Sequence, residues 1–144
     1  MERREDGGLM IPKYKVWNKV KEEMINDYDL AITSDGSVLA GDLNYDVESG
    51  MLADVTDSVE IIMSTGLKDK NNIEIYEGDI VEFKYPYDKR VKTKGIIVRN
   101  NNKACFGINM KETTEQYELY RITAENYLTV IGNIHENLDL LEDE

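Results

Sequence analysis

A chain of 144 residues and 16.6 kDa has room for one compact domain or two very small ones, and folding at this size buries roughly 68–70 % of the unfolded surface. Seventeen basic against 29 acidic side chains leave a net charge of −12, which opposes whole-surface binding to nucleic acid or anionic lipid. No apolar run approaches the roughly 20 residues of a bilayer span. A lone Cys105 excludes an intramolecular disulfide, and one His with one Cys leaves too few soft ligands for a zinc site made within a single chain.

Residues 1–10 are polar, contain Gly7-Gly8 and end on a second methionine, Met10. They read as a flexible leader or an alternative start, without the apolar stretch of a signal peptide, and the chain is expected in the cytoplasm. Alternation in Lys13-Tyr14-Lys15-Val16-Trp17, with Pro12 at its beginning, predicts a half-exposed strand with Tyr14 and Val16 on one face. Asp35-Gly36 lies between two β-prone runs and predicts a two-residue hairpin, because both central positions of such a turn want φ > 0. Residues 41–57 mix Asp, Asn, Gly and Ser and predict a loop with one weak element.

A β-prone run over 58–65 ends at Gly66, and a polar turn follows through Lys68-Asp69-Lys70-Asn71-Asn72. A second unit starts here. Val81, Phe83 and Tyr85 share one strand face while Glu82 and Lys84 share the other. Pro86 breaks this strand, and 94–99 and 104–108 continue a three-stranded meander around the Asn100-Asn101-Asn102 turn. Residues 117–120 and 128–131 supply two more strands, and 136–141 one or two helical turns with Leu138 and Leu141 facing inward. Short strands with turns every 8–12 residues predict a mainly β chain, with a small barrel or sandwich in its second half. The expected division is a leader at 1–10, an N-terminal β-containing region at 11–64 and a barrel region at 65–144.

Charge is distributed unevenly. Between Glu22 and Leu67 there are eleven acids and no base; between Lys84 and Lys103 there are seven bases and one acid; residues 104–144 hold nine acids and two bases. An acidic face of one copy meeting a basic loop of the next would use this asymmetry, which points to a homo-oligomer. Tyr85 and Tyr87 among Lys84, Lys89, Arg90, Lys92 and Lys94 form the one place where rings and bases interleave. Single-stranded nucleic acid is bound by such a pattern, rings stacking on bases while ammonium groups neutralise phosphates, although the net charge works against approach of a polyanion. The same residues suit a protein partner.

Asp69, Glu74, Glu77 and Asp79 gather within eleven residues. Their spacing does not follow a calcium loop, and a solvated turn with Glu77 and Asp79 accepting from nearby backbone N–H groups is the simpler reading. Cys105 lies in an apolar run, where free cysteine behaves as a small inert hydrophobe, and the only base for it is His135. No catalytic constellation, cofactor loop or metal set is expected, and the chain reads as non-enzymatic, without a membrane partner.

The stretch Thr65-Gly66-Leu67-Lys68-Asp69-Lys70-Asn71-Asn72-Ile73-Glu74-Ile75-Tyr76-Glu77-Gly78-Asp79-Ile80-Val81 resembles the signature of the YopX family of phage and prophage proteins. Lys13-Tyr14-Lys15-Val16-Trp17-Asn18-Lys19 is similar to that family's opening, and Val130-Ile131-Gly132-Asn133-Ile134-His135-Glu136-Asn137 to its closing motif. The chain departs from the pattern where Asn72 replaces glycine, Asn18 a common aspartate, His135 an aromatic residue and Leu138 a frequent proline. Asn tolerates the left-handed turn, so position 72 keeps its geometry, whereas Asn18 puts in doubt any role that needs a carboxylate there. The resemblance implies an N-terminal β-containing part followed by an SH3-like small barrel, in a family without an established activity. It also implies mainly structural duties for Thr65, Gly66, Leu67, Asp69, Tyr76, Glu77, Gly78, Asp79, Gly132 and Asn133. The expected function is that of a phage or prophage accessory protein acting through protein contacts or self-assembly. The alternative is a nucleic-acid-binding regulator using the barrel and its Tyr/Lys loop.

Overall fold

The structure, a computed structural model, describes residues 13–25, 29–41, 53–84, 92–100, 105–111 and 116–142. It is mainly β, and it divides into two compact units, one of Lys15–Ile61 and the other of the described residues of Ile62–Glu144 together with Lys13 and Tyr14. Tyr85, Tyr87, Lys89 and Arg90 lie outside the described residues, as does the leader 1–10. Among the described residues no helix is long and apolar enough to cross a membrane.

In the first unit, β1 (Tyr14–Asn18) turns into β2 (Glu23–Met24), with Trp17 opposite Met24. Val16 and Trp17 are both buried although they point to opposite faces, so this strand is covered on both sides at its centre rather than half-exposed as the alternation suggested. Asn18 closes the turn: its side-chain oxygen accepts from the N–H groups of Val20 and Lys21 at 2.9 and 3.0 Å. An aspartate would do the same, so the position needs an acceptor oxygen and not a charge.

The strands β3 (Asp29–Ile32) and β4 (Val38–Gly41) form a hairpin, and β5 (Ala53–Asp54) adds to β4. This hairpin turns where Asp35-Gly36 predicted, but over five residues instead of two, since Ile32 is the last residue paired with Val38. Only Gly36 has positive φ, at 91°. Asp35 keeps an ordinary conformation because its carboxylate accepts from the Ser37 N–H at 3.1 Å and from the Thr33 hydroxyl, a local arrangement that competes with the two-residue turn. Val16, Val38 and Val59 form the centre of this unit, with Ile25, Leu30, Val55 and Ile61 packed around them.

A 3-10 turn at Thr56–Ser58 leads into β6 (Val59–Lys68), ten residues long and therefore not ended by Gly66. Instead Gly66, at φ 82°, sits in a register shift between Ser64 and Lys68, where the strand pairs with β7 (Glu74–Tyr76). An unbranched left-handed residue is what a bulge of this kind demands, so glycine marks an irregularity inside the strand and not its end. β7 is too short, and too close to a polar turn, for its pattern to show in the sequence.

A five-stranded antiparallel sheet follows in the order β11-β10-β9-β8-β12, built from β8 (Asp79–Lys84), β9 (Lys92–Asn100), β10 (Cys105–Met110), β11 (Gln116–Glu118) and β12 (Leu128–Asn133). The meander β8-β9-β10 is as predicted, and β12 returns beside β8 in the barrel-like manner. Between β11 and β12 stands α1 (Arg121–Tyr127), in a region to which the sequence reading assigns no element. Its seven residues carry no side-chain cap and bury only Ala124, so neither a capping residue nor an apolar stripe announces it. Ile75, Val81, Ile97, Ile108, Leu119, Ala124 and Leu128 form the core, with Leu67, Phe83, Phe106, Met110 and Val130 against it.

At the end of the chain the expected helical turns are a 3-10 turn, Leu138–Leu141, that buries no residue. Leu138 is 58 % exposed instead of facing inward, while Leu141 is half-buried. Leu140 is the residue turned to the sheet, next to Gly132.

Asn72 adopts φ 68° and donates its N–H to the Asp69 carbonyl at 2.9 Å. Replacing it with Val should lower stability by about 1–2 kcal/mol, the cost of a branched residue in the left-handed region, while Asn72→Gly should be neutral or better. Urea titration of the two variants beside the parent checks both.

Candidate functional site

The signature stretch from Thr65 to Val81 is organised by two carboxylates that the fold has removed from water. Asp69 is 2 % exposed and Asp79 5 %, so the expectation of a solvated acidic turn is corrected for both. One oxygen of Asp69 accepts from the N–H groups of Asn71 and Ile73, each at 2.8 Å, and the other reaches across to the N–H of Val130 on β12 at 2.8 Å. Lys70 N–H donates to the Leu128 carbonyl at 3.0 Å beside it. Burial of a carboxylate is tolerated only with several such donors, and three charge-assisted bonds meet that condition. Asp79 accepts from the Tyr76 N–H at 2.7 Å, closing the turn at Glu77 and Gly78.

The remaining motif residues work on the same frame. Thr65 donates its hydroxyl to the Ile75 carbonyl at 2.8 Å and accepts from the Leu67 N–H, bracing the bulge. Leu67 packs on the core. Gly78 donates to the Ile97 carbonyl at 2.7 Å and accepts from Ile134. Glu77 pairs with Arg99 at 3.4 Å, in solvent, in place of the backbone bond expected of its side chain; Arg99 in turn lies 6.0 Å over the Phe106 ring. Asn133 gathers the closing motif, its side-chain oxygen accepting from His135 and Glu136 N–H at 2.9 and 2.8 Å. Gly132 has to be bare, since a Cβ there would lie 2.7 Å from Oδ1 of Asn137 and 2.8 Å from Leu140.

A cluster that sequence reading missed joins Lys13, Ser64, Glu74 and Tyr76. Glu74 accepts from Lys13 Nζ at 3.0 Å and from the Ser64 hydroxyl. Burial works against its ionisation, but Ser64 and the Lys13 ammonium outweigh it and hold the carboxyl below its ordinary 4.5. The hydrogen bond to Glu74, and then its charge, hold Lys13 above its ordinary 10.5. Burial, followed by the charge of Glu74, raises the Tyr76 phenol. Since 61 residues separate Lys13 from Glu74, no local pattern signals the pair.

The basic hairpin end is described only in part. Lys84, the last residue of β8, stands opposite Lys92, the first of β9, and Glu82 stands opposite Lys94. Lys94 Nζ donates to the Leu140 carbonyl at 2.7 Å, which gives this cation a place in the fold. Cys105 opens β10 opposite Asn100. His135 sits in the Asn133 turn, with Nε2 3.6 Å from the position of a Cβ on Gly78. Among the described residues no group of three or more His, Cys, Asp or Glu is placed to hold a metal ion.

Asp69→Ala should cost about 3–5 kcal/mol, because it leaves three buried donors without their acceptor, whereas Glu77→Gln, at an exposed ion pair, should cost at most about 1 kcal/mol. Chemical denaturation of both variants makes the comparison. Lys13→Met should lower the urea midpoint at neutral pH by a small amount. A depressed carboxyl stabilises above its unfolded value and loses that contribution as pH falls through the folded one, and a raised ammonium loses its share as pH rises through its folded value. The gap between Lys13→Met and the parent should therefore close as pH drops below 4.5 or climbs above 10.5, as read from midpoints measured across that range.

Comparison with solved structures gives several chains of the same fold, two of which follow. One is the crystal structure of protein EF1440 from Enterococcus faecalis, with a TM-score of 0.63 and 23 % identity over 92 % of this chain and 99 % of that one. The other is protein yopX from Bacillus subtilis, with a TM-score of 0.57 and 20 % identity over 88 % of this chain and 95 % of that one. No curated protein matches the sequence. The model of the family described as YopX protein matches residues 13–142, the span over which the opening, signature and closing motifs lie, and the chain therefore belongs to the YopX family.

Proposed function

We propose that the chain is a non-enzymatic accessory protein of a phage or prophage, working in the host cytoplasm through contacts with other proteins, a second copy of itself among them. The observation that carries this reading is the run from β11 into α1. Tyr117 on β11, Tyr120 between the two elements and Ile122 on α1 are 50, 59 and 72 % exposed, at the end of the sheet order where β11 stands. Rings and branched aliphatics close together on a surface favour protein interfaces, because they bury large area with few rotatable bonds. The polar side chains of the signature and closing motifs add weight from the opposite direction, since Thr65, Asp69, Asp79 and Asn133 bond to backbone groups of the fold itself.

The triple variant Tyr117→Ser, Tyr120→Ser, Ile122→Ser changes exposed positions and should stay folded. In capture from infected-cell lysate divided into nuclease-treated and untreated halves, the parent should retain a protein that the variant loses. In light scattering, any self-association of the parent should weaken in the same variant. A parent that is monomeric at high concentration and retains no protein would refute the proposal. Nucleic acid retained only without nuclease, and released by salt, would replace it with binding at the basic hairpin.

A further inference from the structure

In the first unit, β3 stands at the end of the sheet ordered β3-β4-β5. Thr33 N–H donates to the Ser37 carbonyl at 2.9 Å, and in that register Ala31 faces Leu39 and Ile32 faces Val38. Backbone groups alternate in direction along an antiparallel strand, so Ala31 bonds to β4 whereas Leu30 and Ile32 turn their N–H and C=O groups away from it. The far side of β4 keeps the same phase, since Val55 N–H donates to the Val38 carbonyl at 2.9 Å. Among the described residues, the outward backbone groups of Leu30 and Ile32 meet no hydrogen-bond partner.

Natural sheets guard such edges with charge, proline, a bulge or a covering segment. The β12 end of the five-stranded sheet is covered in this way: Asp69 accepts from Val130 N–H, and Lys70 donates to the Leu128 carbonyl. From Leu30 onward β3 has none of these devices among the described residues. Leu30-Ala31-Ile32-Thr33-Ser34 carries no charge within a stretch rich in acids, and β3 pairs with β4 without a register shift. Leu30 packs on the core of Val16, Val38 and Val59, and Ile32, on the same face, is 37 % exposed. So small a core leaves apolar surface to be covered, which association supplies in small folds.

We infer that β3 is a dimer strand, pairing antiparallel with β3 of a second copy about a twofold axis at Ala31. In that register Leu30 and Ile32 exchange both backbone bonds with Ile32 and Leu30 of the second copy. Leucine then lies against isoleucine on the core face. Alanine lies against alanine on the other, where small side chains suit the closest approach of strands, about 4.5 Å between Cα atoms. A chain of net charge −12 repels its copy, so contact is favoured where the acids give way to a neutral run. The inference rests on the reading of the chain as a protein-contact module and names the second copy and its place, apart from the run at β11 and α1.

Sedimentation of the full chain over a range of concentrations should show an equilibrium between monomer and dimer. Ile32→Pro removes only an outward N–H, so circular dichroism and the urea midpoint should stay near those of the parent while the dimer dissociation constant rises about tenfold. Ile32→Lys, which puts a charge on the edge, should act in the same direction. In a Cys105→Ser background, Ala31→Cys should form a covalent dimer under mild oxidation and Ile32→Cys should not, because only position 31 meets itself across the axis. The variant with Tyr117, Tyr120 and Ile122 changed to Ser should lose larger species and keep this dimer. A monomeric parent, equal dissociation constants in the parent and both Ile32 variants, or no cross-link at position 31 would each overturn the inference. Lysate capture separates that failure from failure of the broader reading: a monomeric parent that still retains a protein leaves the contact module standing without the dimer. Retention that Ile32→Pro abolishes in a monomeric parent would assign the edge to a strand of another protein.

Discussion

A buried negative charge has to be surrounded by donors, and in the second unit that requirement falls on Asp69. Its two oxygens hold the Asn71 and Ile73 amides of its own turn and the Val130 amide of β12. The turn therefore fixes where the last strand lies, and β12 in turn sets its register on β8, with Val130 opposite Val81 and a shift before Gly132. The core depends on that register, since Val81, Leu128 and Val130 meet there. Slipping β12 by one residue would turn its apolar set outward and deprive the carboxylate of a donor at the same time.

Much of this architecture could be read from local chemistry. The alternation at Val81 and Phe83 and the meander from β8 to β10 each follow from a few neighbouring residues, the left-handed Asn72 follows from the resemblance to a motif with glycine at that place, and the structure has them as expected. What escaped reading falls into three kinds. Short elements such as β7 and α1 have too few positions for a period to show. Glycine has two uses, and Gly66 looked like a strand end when it was a bulge. Contacts between distant residues leave no local trace, as with Lys13 on Glu74 and Lys94 on the Leu140 carbonyl.

The same division explains why the family motif names a fold more readily than a task. Side chains that look chemically capable in the linear sequence, Asp69 and Asp79 above all, have their acceptor oxygens directed at backbone amides. Asn18 illustrates the tolerance of that frame: an amide oxygen serves where relatives of the pattern carry a carboxylate, because the turn asks only for an acceptor.

The span of 61 residues between Asp69 and Val130 also bears on how the polypeptide comes off the ribosome. Synthesis proceeds from the N-terminus, so a nascent chain that has emerged through β11 already holds the turn at 69–73 but has no amide with which to complete it. Until β12 follows, the Asp69 oxygen that faces it stays hydrated, and the outer edge of β8 is open to any other extended strand. Closure of the sheet is thus a late, long-range event, and the interval before it is when the newly made chain is most exposed to mispairing with its neighbours.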